Sequence, residues 1–511
     1  MVAKISKGET STYRNKTSIE RAKMTFYTLD GLIGKVKRAA VDAYFSGFDF
    51  WCVKGDRYIY NDTQVDSNNP DEGIGLTAPD DHGNGGLEPF GGEEVLKSGG
   101  LNEWRLKAMD VMSRVDKALD KWRSLPEPSG LDGGKEICEA VYSCLANQVI
   151  QGDTEEGSKT PVFQGTIAKR LEGANDIART QLSGVGMSSF KNNFLFRMQD
   201  IMNKFCGVSY VIETALVAER AGIDSARAAV LGIAKQARES FASVANQPHE
   251  EITAADVRII AAGASAVAAI ASGGTAWVMG AGLVALGLET IGDVMEREVK
   301  PAPQSYDTVM DNMEKALEEV NRQLKELEQA VRSNLKSNYV KMDENRHDFD
   351  LDFPVVHYDD VDKTDRNGGT NSRDTELKIG DVSLVREIAD VTFPGVAAGV
   401  SALSQAVRSF EIALGRAADI GCGFNGPSLE FYDMKERLAD LSRDLSEDIL
   451  LGAHTLGVVL DMYEDIDYRS AKELDSKMAE FEVRRLLVIH GSAKSDMCLS
   501  VCPYIALNEY K

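Results

Sequence analysis

FKNNFLFRMQDIMNKFCGVSYVIETALVAERAGIDSARAAVLGI, residues 190–233, is the stretch that decides the fold. Phe190, Phe194, Met198, Ile201, Met202 and Phe205 recur three and four residues apart, and the period continues through Val208, Ile212, Leu216, Ile223, Val230, Leu231 and Ile233. Side chains at that spacing share one face of an α-helix, so the stretch predicts a single long amphipathic helix, with Gly207 and Gly222 as places where it can bend. Such a stripe needs a partner. The expectation is a mainly α fold of long antiparallel helical hairpins packed as a bundle.

Upstream, Leu106, Met109, Met112, Val115 and Leu119 mark a helix over residues 101–122 that Pro126 and Pro128 end. A second helix is expected over 135–150, and a third over 167–182, reaching the turn Ser183-Gly184-Val185-Gly186. Gly184 and Gly186 are read there as the hairpin turn into the long helix. Residues 37–99 mix aromatics with Gly, Asp and Asn and hold no period, so a small irregular or weakly β region is expected.

Downstream, residues 259–288 form an uncharged apolar run rich in Gly and Ala. Its two arms meet at Ser272-Gly273-Gly274, where a reversal is easy, so Gly273 and Gly274 are the expected hinge of an apolar helical hairpin. Each arm is shorter than the ~20 residues that span a bilayer, whereas the undivided run is long enough. Met313, Leu317, Val320, Leu324, Leu327 and Val331 then alternate spacings of four and three, flanked by Glu318, Glu319, Arg322, Lys325, Glu326 and Glu328, as in a coiled-coil seam. Residues 341–378 read as an acidic, turn-rich linker.

The last segment repeats the hairpin plan. Val396, Val400, Leu403, Val407, Phe410 and Leu414 predict a helix that starts after Pro394-Gly395 and runs toward a Gly-rich turn at 421–427. Pro427 then opens a helix whose inner face carries Met434, Leu438, Leu441, Leu445, Ile449, Leu456, Leu460 and Tyr463. Five segments result: 1–100 irregular, 101–250 a first helical-hairpin domain, 251–340 the apolar hairpin with the coiled-coil segment, 341–378 the linker, and 379–511 a second helical-hairpin domain.

The chain has 511 residues, 43% hydrophobic and 27% charged, enough for a large core in more than one domain. A formal net charge of −23 argues against nucleic acid as a partner, because phosphate contacts need clustered Lys and Arg. Seven cysteines are too few for a disulfide scaffold at this length, and Cys498 and Cys502 are expected to be a terminal disulfide or unrelated thiols. Residues 1–36 are polar and lack the apolar core of a secretory leader. No phosphate loop, dinucleotide fingerprint, nucleophile elbow or zinc-protease motif is present, so neither an enzyme nor a cofactor or metal site is expected.

The final hairpin resembles the Trp-x-Gly helical-hairpin family of type VII secretion substrates, in which a Trp-x-Gly turn joins two antiparallel helices and a Tyr-x-x-x-Asp/Glu signal follows. Phe424-Asn425-Gly426 occupies the turn, with Phe424 in place of Trp, and Tyr463 to Asp467 supplies Tyr-x-x-x-Asp some forty residues later. The resemblance implies a non-enzymatic, leaderless protein, secreted or at the cell surface, that meets a secretion apparatus or a helical partner. Tyr463 and Asp467 would be the signal, and Phe424 and Gly426 the turn. Two rival readings stand beside it: a helical pore-forming toxin component that inserts residues 259–288 into a membrane, and a cytoplasmic helical scaffold.

Overall fold

A computed structural model describes residues 29–60, 73–91, 100–146, 165–246, 305–351 and 378–464, with residue 478 and without 81, 82, 84, 185, 186 and 189. The apolar run with Gly273 and Gly274, Gly186, Asp467, Cys498 and Cys502 lie outside the described residues. The described chain is mainly α-helical and divides into two units, each assembled from separate stretches of sequence. The first draws on Met1–Gly165, Asn203–Arg346 and Leu403–Asp440, and the second on Thr166–Met202, His347–Ala402 and Leu441–Lys511.

In the first unit, α1 (Leu29–Ser46) buries Leu29, Leu32, Ile33, Val36, Ala40 and Ala43, a three-and-four spacing that turns one face inward. It packs on a four-stranded antiparallel meander, β1 (Trp51–Lys54), β2 (Arg57–Tyr60), β3 (Ile74–Thr77) and β4 (Pro89–Phe90). The stretch that shows no period in sequence is therefore a helix followed by short strands. Strands of two to four residues are too short to display alternation. Phe45 stacks on Tyr58 at 4.4 Å between ring centroids, and the Tyr58 hydroxyl donates to Asp42 at 2.7 Å.

Helix α2 (Gly100–Leu119) forms as expected, but a different face is buried. Leu101, Ala108, Val111, Val115 and Leu119 point inward, while Leu106 and Met109 are exposed. Arg114 on the same helix donates to Glu314 at 2.8 Å and to Asp311 at 2.6 Å.

The core of this unit joins α1, the sheet and α2 to α5 (Phe196–Asn246) and α6 (Tyr306–Glu344), and α3 (Asp132–Leu145) is tied to α5. Ser209 on α5 donates to the Cys138 carbonyl at 3.1 Å, and Tyr142 on α3 donates to Glu213 at 2.9 Å. Ser305 caps α6 by accepting from the Thr308 N–H at 3.2 Å. At Gly222 a Cβ would fall 2.2 Å from Leu327 Cδ2, so this glycine permits close approach of α6 to α5. The seam residues Met313, Leu317, Val320, Leu324, Leu327 and Val331 are all buried.

The acidic segment read as a linker begins inside structure. Asp343 belongs to α6, and after a 3₁₀ turn at Arg346–Phe349 both Phe349 and Leu351 are buried.

In the second unit, α4 (Thr166–Gln181) is followed by a strand, β5 (Leu182–Ser183), which pairs antiparallel with β6 (Lys378–Ile379). The expected turn at Gly184 thus opens with a strand, and Gly184 itself has φ +105°. Helix α7 (Val382–Glu387) is capped by Asp381, which accepts from the Ser383 and Leu384 N–H groups. It runs through a π-helical turn at Ile388–Thr392 into α8 (Phe393–Ser409).

Pro394-Gly395 therefore does not break the helix. The Phe393 N–H bonds to the Ile388 carbonyl five residues back, so the wider π turn re-pairs carbonyls around the donor that Pro394 lacks. Helix α8 also stops short of the expected Leu414. Phe410 and Leu414 are still buried, but in a non-helical connection of residues 410–427.

Helix α9 (Ser428–Glu464) buries Met434, Leu438, Leu441, Leu445, Ile449, Leu456 and Leu460, the stripe read from the sequence. Within the first unit Ser404 donates to the Ala439 carbonyl at 2.7 Å, and within the second Ser446 donates to the Ala397 carbonyl at 2.9 Å. Numbers that fall on one helix as they rise on the other identify α8 and α9 as antiparallel. Among the described residues one helix, 190–246, is long and apolar enough to cross a membrane, and 72% of its apolar window is buried inside the protein.

Two glycines of α9 should respond oppositely to a methyl group. A Cβ at Gly452 would lie 2.0 Å from the Phe194 ring, whereas one at Gly457 meets nothing within 4 Å. Thermal or urea unfolding should show Gly452→Ala destabilised by roughly 1–3 kcal/mol through overpacking. Gly457→Ala should gain up to about 1 kcal/mol from helix propensity. Equal effects at both positions would contradict the packing of Phe194 on α9.

Candidate functional site

The connection between α8 and α9 carries the turn that the sequence singles out, and its shape is set by one buried cation. Arg416 lies within it, with a side chain 0% exposed. Its Nη2 donates to Glu328 of α6, its Nε donates to the Gly423 carbonyl at 3.3 Å, and its backbone N–H donates to the Phe424 carbonyl at 3.1 Å. One residue thereby ties both sides of the 416–424 loop together.

Helix α6 supplies the other fixings from residues seven apart, which stand on one face two turns from each other. Asn321 accepts from the Gly421 N–H at 2.7 Å and donates to the Asp419 carbonyl at 2.9 Å. Glu328 accepts from the Cys422 N–H at 2.6 Å. Close approach of the loop to α6 requires glycine at 421, where φ is +57° and a Cβ would lie 2.5 Å from a Glu328 oxygen. Ser124 accepts from the Ala417 N–H at 2.7 Å and anchors the near side.

A third charge completes the cluster. Glu219 of α5 is also 0% exposed, and its Oε1 lies 3.7 Å from Arg416 Nη1, inside ion-pair range and beyond a hydrogen bond. Neither Glu219 oxygen has a hydrogen-bond partner. Burial first, and the neighbouring Glu328 charge second, push the Glu219 carboxyl well above the ordinary carboxylate range, with Arg416 opposing them. Burial also raises Glu328, against the pull of Arg416 and the Cys422 N–H.

Glu219 and Arg416 are absent from the sequence reading, and Glu328, read there as a flank of the seam, is enclosed. A signal does exist in the periodicity. Glu219 falls between Leu216 and Ile223, and Glu328 between Leu324 and Val331, at the spacings of the buried stripes themselves. Arg416 leaves no such trace, because the connection has no period.

Above this base the turn projects apolar surface. Phe424 is 63% exposed, and Leu429 and Tyr432 near the start of α9 are 64% and 53% exposed. Gly426 sits at φ +49°, where a Cβ would lie 2.5 Å from Arg416 Nη2. Phe424 and Gly426 therefore stand in one turn, closed by the Gly426 N–H donating to the Gly423 carbonyl at 3.1 Å. Tyr463 stands in the last turn of α9, with most of that 37-residue helix between it and the turn.

Among the described residues, no three His, Cys, Asp or Glu side chains gather as metal ligands. Burial pushes the thiols of Cys138 and Cys206 up to about 12, which leaves them protonated and poorly nucleophilic at neutral pH. A cleft of about 530 Å³ in the first unit is lined by Lys37, Asp116, Asp30 and Arg123, which pair with one another at 2.6 and 2.8 Å. Compared with known proteins, the chain matches no family model, no curated protein and no solved structure.

Removing the central cation should expose the cost of this arrangement. Arg416→Met leaves two carboxyl groups without a counter-charge and frees the loop, so urea unfolding should report a loss of about 3–5 kcal/mol. A loss under about 1 kcal/mol, typical of an exposed pair, would contradict the burial of the cluster.

Proposed function

We propose that this chain is a non-enzymatic helical protein exported by, or acting with, a type VII-like secretion apparatus, and that it works through its surface. The observation that carries this reading is the 424–426 turn between antiparallel α8 and α9. It presents an exposed aromatic, closes on a left-handed glycine, and is held from beneath by Arg416. An exposed aromatic on a fixed backbone suits docking, because it offers large apolar area with little side-chain entropy to lose.

In this reading Phe424, Leu429 and Tyr432 form the contact with a helical partner or the apparatus. Tyr463 and Asp467 provide the export signal. Residues 259–288 are the candidate contact with a membrane, and the net charge of −23 disfavours any contact with acidic headgroups elsewhere.

Export is the direct test. Tyr463→Ala should leave the far-ultraviolet circular dichroism spectrum unchanged and remove the protein from the culture supernatant of its native host. Secretion of a folded Tyr463→Ala protein at the wild-type level would overturn the signal assignment.

A further inference from the structure

Two carboxyl groups and one guanidinium, all 0% exposed, cannot be charge-neutral if all three are ionised. We propose that the Glu219, Glu328 and Arg416 cluster holds one proton in the folded protein, carried by Glu219, and that this proton latches the 410–427 connection in place. The latch is independent of any export role.

Geometry assigns the proton. Glu328 uses both oxygens as acceptors, one toward Arg416 and one toward the Cys422 N–H, which favours its ionised form. Glu219 has no hydrogen-bond partner and lies at 3.7 Å from the guanidinium, so Arg416 compensates a charge on it far less fully than the charge on Glu328. The groups facing it from the elements packed around it are Glu328 on α6 and Arg416 on the connection, with the Cys422 thiol beside Glu328. Arg220, the next residue of α5, is engaged elsewhere, 3.1 Å from Asp132 on α3.

Loss of the proton to solvent leaves two buried anions competing for Arg416. Since Arg416 also holds Gly423 and Phe424, the strain falls on the loop that carries the exposed turn. The sign follows from linkage. Glu219 is raised to about 8 in the folded protein and returns to about 4.3 when unfolded, so between these values the folded state binds the extra proton. Stability from this group is complete below the lower value and falls as pH rises toward the upper one.

The test compares the full-length wild type with Glu219→Gln, a neutral isostere of the protonated side chain, in chemical unfolding between about pH 5 and 9. The wild-type unfolding constant should rise relative to that of the variant by up to about tenfold per pH unit across the window. Hydrogen exchange within 414–427, corrected for intrinsic rates, should accelerate at the alkaline end in wild type only. Infrared spectra of the wild type near neutral pH should contain a protonated-carboxyl stretching band that moves on deuteration and is missing from Glu219→Gln. Parallel pH profiles in the two proteins would overturn the latch. If the variant does not fold, absence of that band from the wild type would overturn it equally.

Discussion

The arrangement of the first unit around its exposed turn depends on the buried guanidinium of Arg416. Enclosing an arginine costs several kcal/mol in lost hydration, and only a well-placed carboxylate with further hydrogen bonds offsets that. Glu328 provides the charge, the Gly423 carbonyl takes a second donor, and Asn321 secures the same loop from one face of α6. The cluster contributes less to net stability than to the choice of path. An 18-residue connection without helical hydrogen bonds has many routes between α8 and α9, and the pairing of Arg416 admits the one that seats Gly421 on Glu328 and leaves Phe424 outside.

What the sequence discloses follows from which interactions repeat. The stripes of α5, α6 and α9 are legible because apolar burial along a helix recurs every three or four residues over 51, 39 and 37 positions. The face of α2 is misread because Leu106 and Met109 weigh more on hydrophobicity than Ala108, although a small residue is what the packing takes there. Pro394 reads as a stop because the rule assumes an α-helical ladder, and the π turn before it changes the ladder. Short strands such as β4 carry too few residues to register.

The candidate site was half legible. The Gly-rich turn at 421–427 and the helix after it are visible from composition and spacing, and the resemblance singles out Phe424 and Gly426 within that turn. The cluster beneath them is not, because it joins residues 219, 328 and 416 from three separate stretches. A charge at a stripe position is the one trace it leaves, and both Glu219 and Glu328 show it. The two-unit division is similarly hidden from a linear reading, since each unit is drawn from three discontinuous stretches.

A double-mutant cycle on Arg416 and Glu328, with urea unfolding as readout, tests the central claim that this pair governs the connection. If the two groups form one buried unit, Arg416→Met combined with Glu328→Leu should be far less damaging than the sum of the single changes, with a coupling of about 2 kcal/mol or more. Additivity to within about 0.5 kcal/mol would show that Arg416 and Glu328 act independently and that something else holds the Phe424 turn.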